Sequence, residues 1–365
     1  MEGPNIVFAG GGTLGPVTPL LAVIREARAA EPAATFAWIG TEGGPEERLV
    51  AEAGVPFHAI SAGKLRRYFS WRNLTDPFRV VGGFFASRAL LRKLRADAVV
   101  SAGGFVAVPV AWAARSLGIP VHVHQQDVRP GLANRLSLPA SSTMSVALES
   151  SLADFARRRP VWTGNPVRPE LSGGSPAEAA RIFGLEQGLP TVLIMGGGTG
   201  AAGLNKLVWG SLPSLLARTQ IIHVAGPGKT DPSVAAMRYR QYELLTAELP
   251  HAYAAADLVV TRAGMGALTE LAALGKPAII VPMPGSHQED NARAFEAGAG
   301  ATVLDERRVA TEAFAAAVIG LAGDESRLEA AAEGMRRMHK PGAAAAIAAM
   351  VLEAARRHRA PGGQD

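Results

Sequence analysis

Short runs of Val, Ile, Leu, Ala and Phe recur along this chain, separated by longer stretches in which apolar residues return every three or four positions. Asn5–Ala9, Thr35–Ile39, Phe57–Ile60, Ala98–Ser101, Val121–His124 and Thr143–Val146 are short and nearly all apolar, as strands buried on both faces are. The pattern resumes at Thr191–Met195, Thr219–Val224, Leu258–Thr261 and Ala278–Pro282. Thr18–Ala30 and Glu46–Ala53 read as helices, and the Ala-rich stretch Gly342–Arg357 as a final one. Strands alternating with helices predict an α/β fold built on parallel sheets.

A repeat refines this. Ile6-Val7-Phe8-Ala9-Gly10-Gly11-Gly12-Thr13 has a counterpart in Leu193-Ile194-Met195-Gly196-Gly197-Gly198-Thr199-Gly200, about half a chain length further on. A single repeat at that distance implies two similar halves, whereas a solenoid repeats every 20–50 residues or so. The expected domains are 1–165, with a helix at about 342–358 packing back on it, and 166–341. The Pro- and Gly-rich stretch Asn165–Pro176 would join them. The tail Ala360–Asp365 reads as disordered.

The chain has 365 residues, 48% hydrophobic and 19% charged, which is enough to bury a core in each half. It has no cysteine, so disulfide frameworks and thiolate chemistry are excluded. A formal charge of +5 suits anionic substrates or an anionic membrane surface, and is too small to argue for nucleic acid. Met1–Asn5 has no basic leader and no apolar run approaches the ~18 residues of a membrane span, so a cytoplasmic protein is expected.

A strand entering a helix through glycines aims backbone N–H groups at one point, where the helix dipole adds positive charge, so such turns suit phosphate. The bland alternative is that glycine only permits a tight turn. Gly10, Gly12 and Gly15 fit G-x-G-x-x-G, as do Gly198, Gly200 and Gly203, but a dinucleotide site wants an acid at the end of the second strand, and Glu42 comes late. Gly226-Pro227-Gly228-Lys229-Thr230 ends like a P-loop, yet His223 stands where its first glycine belongs.

A sugar nucleotide fits better. In Thr261–Leu271 a strand ends, small residues turn, and a helix is expected to begin near Leu268. Glu270 would then lie in the first helical turn, able to accept from both ribose hydroxyls, with the Gly264–Leu268 amides on phosphate. The alternative for Glu270 is charge complementarity to the helix end. No D-x-D pair follows a strand, so the reading includes no divalent metal and no cofactor. Arg168 is the cation expected to meet the diphosphate.

Together these segments resemble the MurG family, GT-B glycosyltransferases with two Rossmann-like parallel-sheet domains facing across a deep cleft. The landmarks are Gly10–Pro19, Gly103–Val106, Leu117–Val121 leading into His124–Asp127, Gly164–Arg168, Gly196–Gly200, Arg262–Glu270 and His287-Gln288. The resemblance runs from about Asn5 to Arg357. It implies transfer of N-acetylglucosamine (GlcNAc) from UDP-GlcNAc to lipid I, giving lipid II for peptidoglycan. It also implies a peripheral position on the cytoplasmic face of the inner membrane. Arg168, Gly198 and Thr199 would lie near the diphosphate and Leu245 beside the uracil. Met265, Gly266, Ala267, Leu268 and Thr269 would line the phosphates, Glu270 would hold the ribose and Gln288 the GlcNAc hydroxyls. Thr13, Leu14, Gly15 and Asp127 would face the sugar and the acceptor.

The departures bear on mechanism. The family's G-G-T-G-G-H turn is here Gly11-Gly12-Thr13-Leu14-Gly15-Pro16, and proline cannot take a proton. The family's H-E-Q-N is His124-Gln125-Gln126-Asp127. The Ser of the second glycine turn is Gly198, and an aromatic hydroxyl is lost at Phe105. The catalytic candidates are therefore Asp127 and His124. Asp127 has two readings: the base that replaces the lost His, or a mere hydrogen-bonding replacement for Asn, with the base dispensable. The implied reaction is a single inverting displacement at the GlcNAc C1. The basic and aromatic run Lys64–Arg72, continuing through Phe78, Arg79, Phe84, Phe85, Arg88, Arg92 and Lys93, reads as a membrane-contacting surface, or as a helix whose aromatics pack inward. Other UDP-sugar GT-B enzymes, a UDP-GlcNAc 2-epimerase among them, and a non-catalytic sugar-nucleotide-binding protein are the alternatives.

Overall fold

The computed structural model describes residues 3–61, 72–198 and 200–360, with side chains except those of 72–79. The chain divides into two compact units, residues 1–167 with 341–365 and residues 168–340.

In unit 1 the elements run β1 (Asn5–Ala9), α1 (Val17–Ala30), β2 (Thr35–Thr41), α2 (Glu46–Glu52), β3 (Phe57–Ile60), α3 (Arg72–Lys93), β4 (Ala98–Ser101), α4 (Ala107–Ser116), β5 (Val121–Gln125), α5 (Leu132–Ser137), β6 (Thr143–Val146) and β7 (Val161–Trp162). The strands form one parallel sheet in the order β3-β2-β1-β4-β5-β6-β7. Strand alternation builds two cores. Val7, Ala9, Val99 and Val121 join Val110 and Ala114 of α4 on one face. Ile6, Phe8, Trp38 and Val100 join Leu20, Val23 and Ile24 of α1 on the other.

Unit 2 runs α6 (Pro176–Phe183), β8 (Thr191–Met195), α7 (Ala202–Leu215), β9 (Gln220–Val224), β10 (Tyr239–Tyr242), α8 (Leu249–Ala255), β11 (Leu258–Thr261), α9 (Met265–Leu274), β12 (Ala278–Ile280), α10 (Gln288–Ala299), β13 (Thr302–Val303), α11 (Thr311–Ala322) and α12 (Glu325–Arg337). Its sheet is also parallel, in the order β10-β9-β8-β11-β12-β13. Val192, Ile194, Val260 and Ile279 pack against Leu204 and Val208 of α7 and Phe314 and Val318 of α11.

The last helix, α13 (Ala343–Arg359), belongs to unit 1. Ile347, Ala348, Val351, Leu352 and Ala355 form its buried stripe on the core beside α1. Burying each of Ile347, Val351 and Leu352 is worth about 1.5–3 kcal/mol, and Arg356 adds an ion pair to Glu31 at 2.6 Å.

In both sheets the strand order reverses beside the first strand: between β1 and β4, and between β8 and β11. Crevices at such switch points, beyond the carboxyl ends of the strands, are where open α/β sheets bind ligands. The glycine turns after β1 and β8, and the turns after β4 and β11, all lie there.

Candidate active site

In unit 2, α9 begins at Met265 with Gly264 as its extended N-cap, three residues before the expected start. Nothing in Met265-Gly266-Ala267 breaks a helix, so it winds up directly behind Gly264. Two expectations change as a result. The Leu268 N–H is already donated to the Gly264 carbonyl at 3.1 Å, so the amides of Met265, Gly266 and Ala267 alone precede the first intrahelical bond. Glu270 lies in the second turn rather than the first. Thr269 is buried and its hydroxyl donates back to the Met265 and Gly266 carbonyls at 2.8 and 3.1 Å, so it lines its own helix rather than a phosphate.

The two residues expected to hold the ribose and the diphosphate meet each other. Arg168 donates from Nε and Nη2 to Glu270 Oε1 at 3.2 and 2.9 Å. Tyr253 on α8 donates its hydroxyl to Glu270 Oε2 at 3.1 Å. The Glu270 side chain is 12% exposed and Arg168 37%, so the carboxylate is sheltered and the guanidinium is at the rim. Burial, then the neighbouring Glu270 charge, holds the Tyr253 hydroxyl well above its ordinary pKa, so it remains a donor. Tyr253 was not singled out from the sequence. It stands in the alanine-rich His251–Ala255 run, where an aromatic residue reads as core.

The second glycine turn, Gly196–Gly200, has left-handed backbone at Gly197 and Gly200, with φ of +82° and +70°. At Gly200 a Cβ would sit 2.1 Å from the Ala225 carbonyl oxygen, so only glycine fits. Lys229, in the segment set aside as an imperfect P-loop, donates its ammonium to the Gly200 carbonyl at 3.3 Å. Gly198 is exposed at the tip, and Thr199 lies outside the described residues. Leu245 is buried between β10 and α8. Gln288 opens α10 and its side-chain oxygen accepts from the Met283 N–H at 3.0 Å. Arg262 is buried, donating to the Val281 and Pro282 carbonyls at 3.0 and 3.1 Å and pairing with Glu306.

In unit 1 the corresponding turn is built differently. Thr13 and Gly15 are exposed and Leu14 half-buried, with the Leu14 carbonyl accepting from Val17 and Thr18 at the start of α1. Behind them the wholly buried Glu46, first residue of α2, accepts from the Gly12 N–H at 3.1 Å and the Thr41 N–H at 2.7 Å. The expectation that both turns offer their amides to phosphate is corrected here: a carboxylate of the same unit takes the Gly12 amide. The acid sought at the end of the second strand does reach this turn, but from position 46 and not 42.

His124 and Asp127 share the end of β5 but not its environment. His124 has no exposed surface. Its Nδ1 lies 2.8 Å from the Ser145 hydroxyl and its Nε2 3.0 Å from Asn165 Oδ1. Burial lowers its pKa to about 4. A neutral, enclosed ring with both nitrogens engaged cannot reach a sugar hydroxyl, so the catalytic candidacy of His124 is withdrawn. Asp127 is half-buried in the following loop. Gln125 braces that loop, donating to the Asp127 carbonyl at 2.7 Å and accepting from Asn134 at 2.6 Å. Of the basic and aromatic run, residues 64–71 and the side chains of Phe78 and Arg79 lie outside the described residues. Phe84 packs on the core, whereas Phe85 is 62% exposed. Among the described residues no three acidic or histidine side chains gather as a metal-ligand group.

Comparison with known proteins identifies the family. The glycosyltransferase family 28 N-terminal domain matches residues 6–144 and its C-terminal domain residues 191–347. The UDP-N-acetylglucosamine--N-acetylmuramyl-(pentapeptide) pyrophosphoryl-undecaprenol N-acetylglucosamine transferase of Lachnoclostridium phytofermentans is 41% identical, covering 86% of this chain and 89% of that protein. The protein of that name from Shouchella clausii is 41% identical, covering 84% and 88%. The crystal structure of Acinetobacter baumannii MurG superposes with a TM-score of 0.74 at 24% identity, covering 96% of this chain and 99% of that one, a likeness of fold. With both domains matched and this identity sustained over most of its length, the chain belongs to glycosyltransferase family 28 and, within it, to the MurG family of N-acetylglucosamine transferases.

Proposed function

We propose that this enzyme transfers GlcNAc from UDP-GlcNAc to the C4 hydroxyl of the muramyl sugar of undecaprenyl-pyrophosphoryl-MurNAc-pentapeptide, turning lipid I into lipid II. The observation that carries the site assignment is the Arg168–Glu270–Tyr253 cluster beside the open amides of α9. A sheltered carboxylate held from one side by a tyrosine hydroxyl is a ready acceptor for a ribose diol. As the diol takes Glu270, Arg168 is released from the same oxygen and can turn to the diphosphate.

The acceptor O4 then forms a bond to the anomeric carbon from one face, and the bond from that carbon to the phosphate oxygen breaks on the other. UDP leaves with the electron pair. The amides of Met265, Gly266 and Ala267, with Arg168, meet the charge growing on the β-phosphate, fixed dipoles of the kind that stabilise an oxyanion. The proton of O4 goes to Asp127, the carboxylate that the loop after β5 carries where the family has an amide. Thr13, Leu14 and Gly15 serve the acceptor side, with Leu245 near the uracil and Gln288 near the GlcNAc hydroxyls.

The lipid-linked acceptor calls for a membrane surface, and we place the enzyme peripherally on the cytoplasmic face. Among the described residues no helix is long and apolar enough to cross a membrane. On α4 and on the helices α3 and α5 that each pack against it, Val81, Phe85, Trp112, Leu132 and Leu136 are 39–62% exposed, and Arg92 and Lys93 are exposed at the end of α3. Apolar side chains flanked by bases suit an anionic interface. Phe85→Ser with Leu136→Ser should release the protein from vesicles containing phosphatidylglycerol, and unchanged binding would remove this surface from the account.

The direct test of the activity is incubation of labelled UDP-GlcNAc with a lipid I analogue. The expected product is the β-linked disaccharide lipid. Release of ManNAc from the donor alone, or binding with no turnover, would contradict the reading.

A further inference from the structure

We infer that Glu46 is a positioning residue for the acceptor side of this reaction, a buried carboxylate that braces the first glycine turn from within unit 1. The inference rests on the transferase reading above, in which Thr13, Leu14 and Gly15 serve the acceptor.

Three glycines are shaped around this carboxylate. A Cβ at Gly11 would sit 1.9 Å from Glu46 Oε1, and one at Gly44 2.4 Å from Oε2. At Gly40 a Cβ would lie 3.2 Å from Oε1, with the Phe57 ring nearer still. The other side of the turn is closed as well, since a Cβ at Gly104 would meet the Gly11 carbonyl oxygen at 2.6 Å and the Gly11 nitrogen at 2.8 Å. The Gly11 backbone is therefore fixed between Glu46 and the turn after β4. The Gly12 and Thr41 amides, from the ends of β1 and β2, share one carboxylate.

A buried carboxylate is costly unless hydrogen-bonded, and here two backbone amides satisfy it. In return it ties the turn carrying Thr13–Gly15 to the end of β2. The turn therefore presents its exposed residues in one conformation. Glu46 touches neither substrate in this account; it acts through Gly12.

Glu46→Ala removes a CH2–COO− group, whose atoms acetate reproduces, and Glu46→Gln keeps the shape while replacing one acceptor oxygen with a donor. Steady-state transfer is measured for the wild type and both variants, with lipid I analogue and UDP-GlcNAc varied in turn. For Glu46→Ala the expected result is at least a tenfold loss in kcat/KM for the acceptor, with KM for UDP-GlcNAc within twofold of the wild type. Acetate at tens of millimolar should restore several-fold of the lost activity and raise the Tm of Glu46→Ala while leaving the wild type unmoved. Glu46→Gln should fall between. Three results would overturn the inference: an unchanged acceptor kcat/KM, donor and acceptor constants rising together, or no acetate response in either activity or Tm. A wild type with no transfer to the lipid acceptor would instead bring down the transferase reading itself, and this inference with it.

Discussion

After β1 the chain turns through Gly10–Gly15, and after β8 through Gly196–Gly200, each at the switch point of a parallel sheet. The glycine pattern is shared, but the side chains that close on it differ. The first turn receives the carboxylate of Glu46, bonded to Gly12 across 34 positions of sequence. The second receives the ammonium of Lys229, bonded to the Gly200 carbonyl across 29. The first is thereby braced by a carboxylate buried behind it, and the second by an ammonium at its carbonyl. A glycine signature specifies backbone geometry; the side chain brought to it is set by the fold around it.

The acceptor side of that contrast breaks most sharply at Asp127. If this carboxylate takes the O4 proton, Asp127→Asn should lower kcat by about 10²–10⁴-fold, the usual contribution of a general base, with UDP-GlcNAc binding intact. Near wild-type turnover would leave the residue a hydrogen-bonding replacement for Asn and nothing more.

The two units should also part under acid. Unit 1 buries His122 and His124, with pKa values lowered from 6.5 to about 3 and about 4, and unit 2 buries His223, lowered to about 4, each chiefly by desolvation. Above pH 6.5 these rings are neutral folded and unfolded, and contribute no pH dependence. As the pH falls from 6.5 towards 4 only the unfolded chain takes up their protons, so stability is lost, by roughly 3 kcal/mol per ring at the lower limit. Hydrogen exchange at pH 7, 5.5 and 4.5 should find unit 1 opening first. Earlier opening of unit 2 would contradict this.

A smaller effect sharpens the donor side. Tyr253→Phe removes one neutral hydroxyl from Glu270 and should weaken UDP-GlcNAc binding about fivefold, the worth of roughly 1 kcal/mol. The loss should shrink for the 2′-deoxy donor, which asks less of the carboxylate. An equal loss for both donors would detach Tyr253 from ribose recognition.

The inner strands of both sheets could be read from sequence because a parallel strand covered on both faces is a short apolar run, as Ala98–Ser101 and Thr191–Met195 are. Three of the four edge strands could not. β10 is Tyr-Arg-Gln-Tyr, half-exposed and polar, while β7 and β13 are two residues long. The glycine turns could be read because glycines are conspicuous at the end of an apolar run, and Arg168 and Glu270, singled out as candidates by residue type, are paired with each other by the fold. What reaches those turns was not legible, because Glu46, Lys229 and Tyr253 arrive through the fold. Glu46 looks like an ordinary helix-start acid, Lys229 like part of a failed P-loop, and Tyr253 like core. His124 misled in the opposite direction: it stands in a polar tetrapeptide, yet strand β5 carries it inward to Ser145 and Asn165.

The claim that unit 2 alone grips the nucleotide is tested most directly by calorimetric titration of UDP-GlcNAc into the wild type, Glu270→Ala and Glu46→Ala. Glu270→Ala should weaken binding about 10–100-fold, as loss of hydrogen bonds to a charged group does, while Glu46→Ala stays within twofold of the wild type. Full affinity in Glu270→Ala together with lost affinity in Glu46→Ala would assign the donor to the wrong turn and contradict the account.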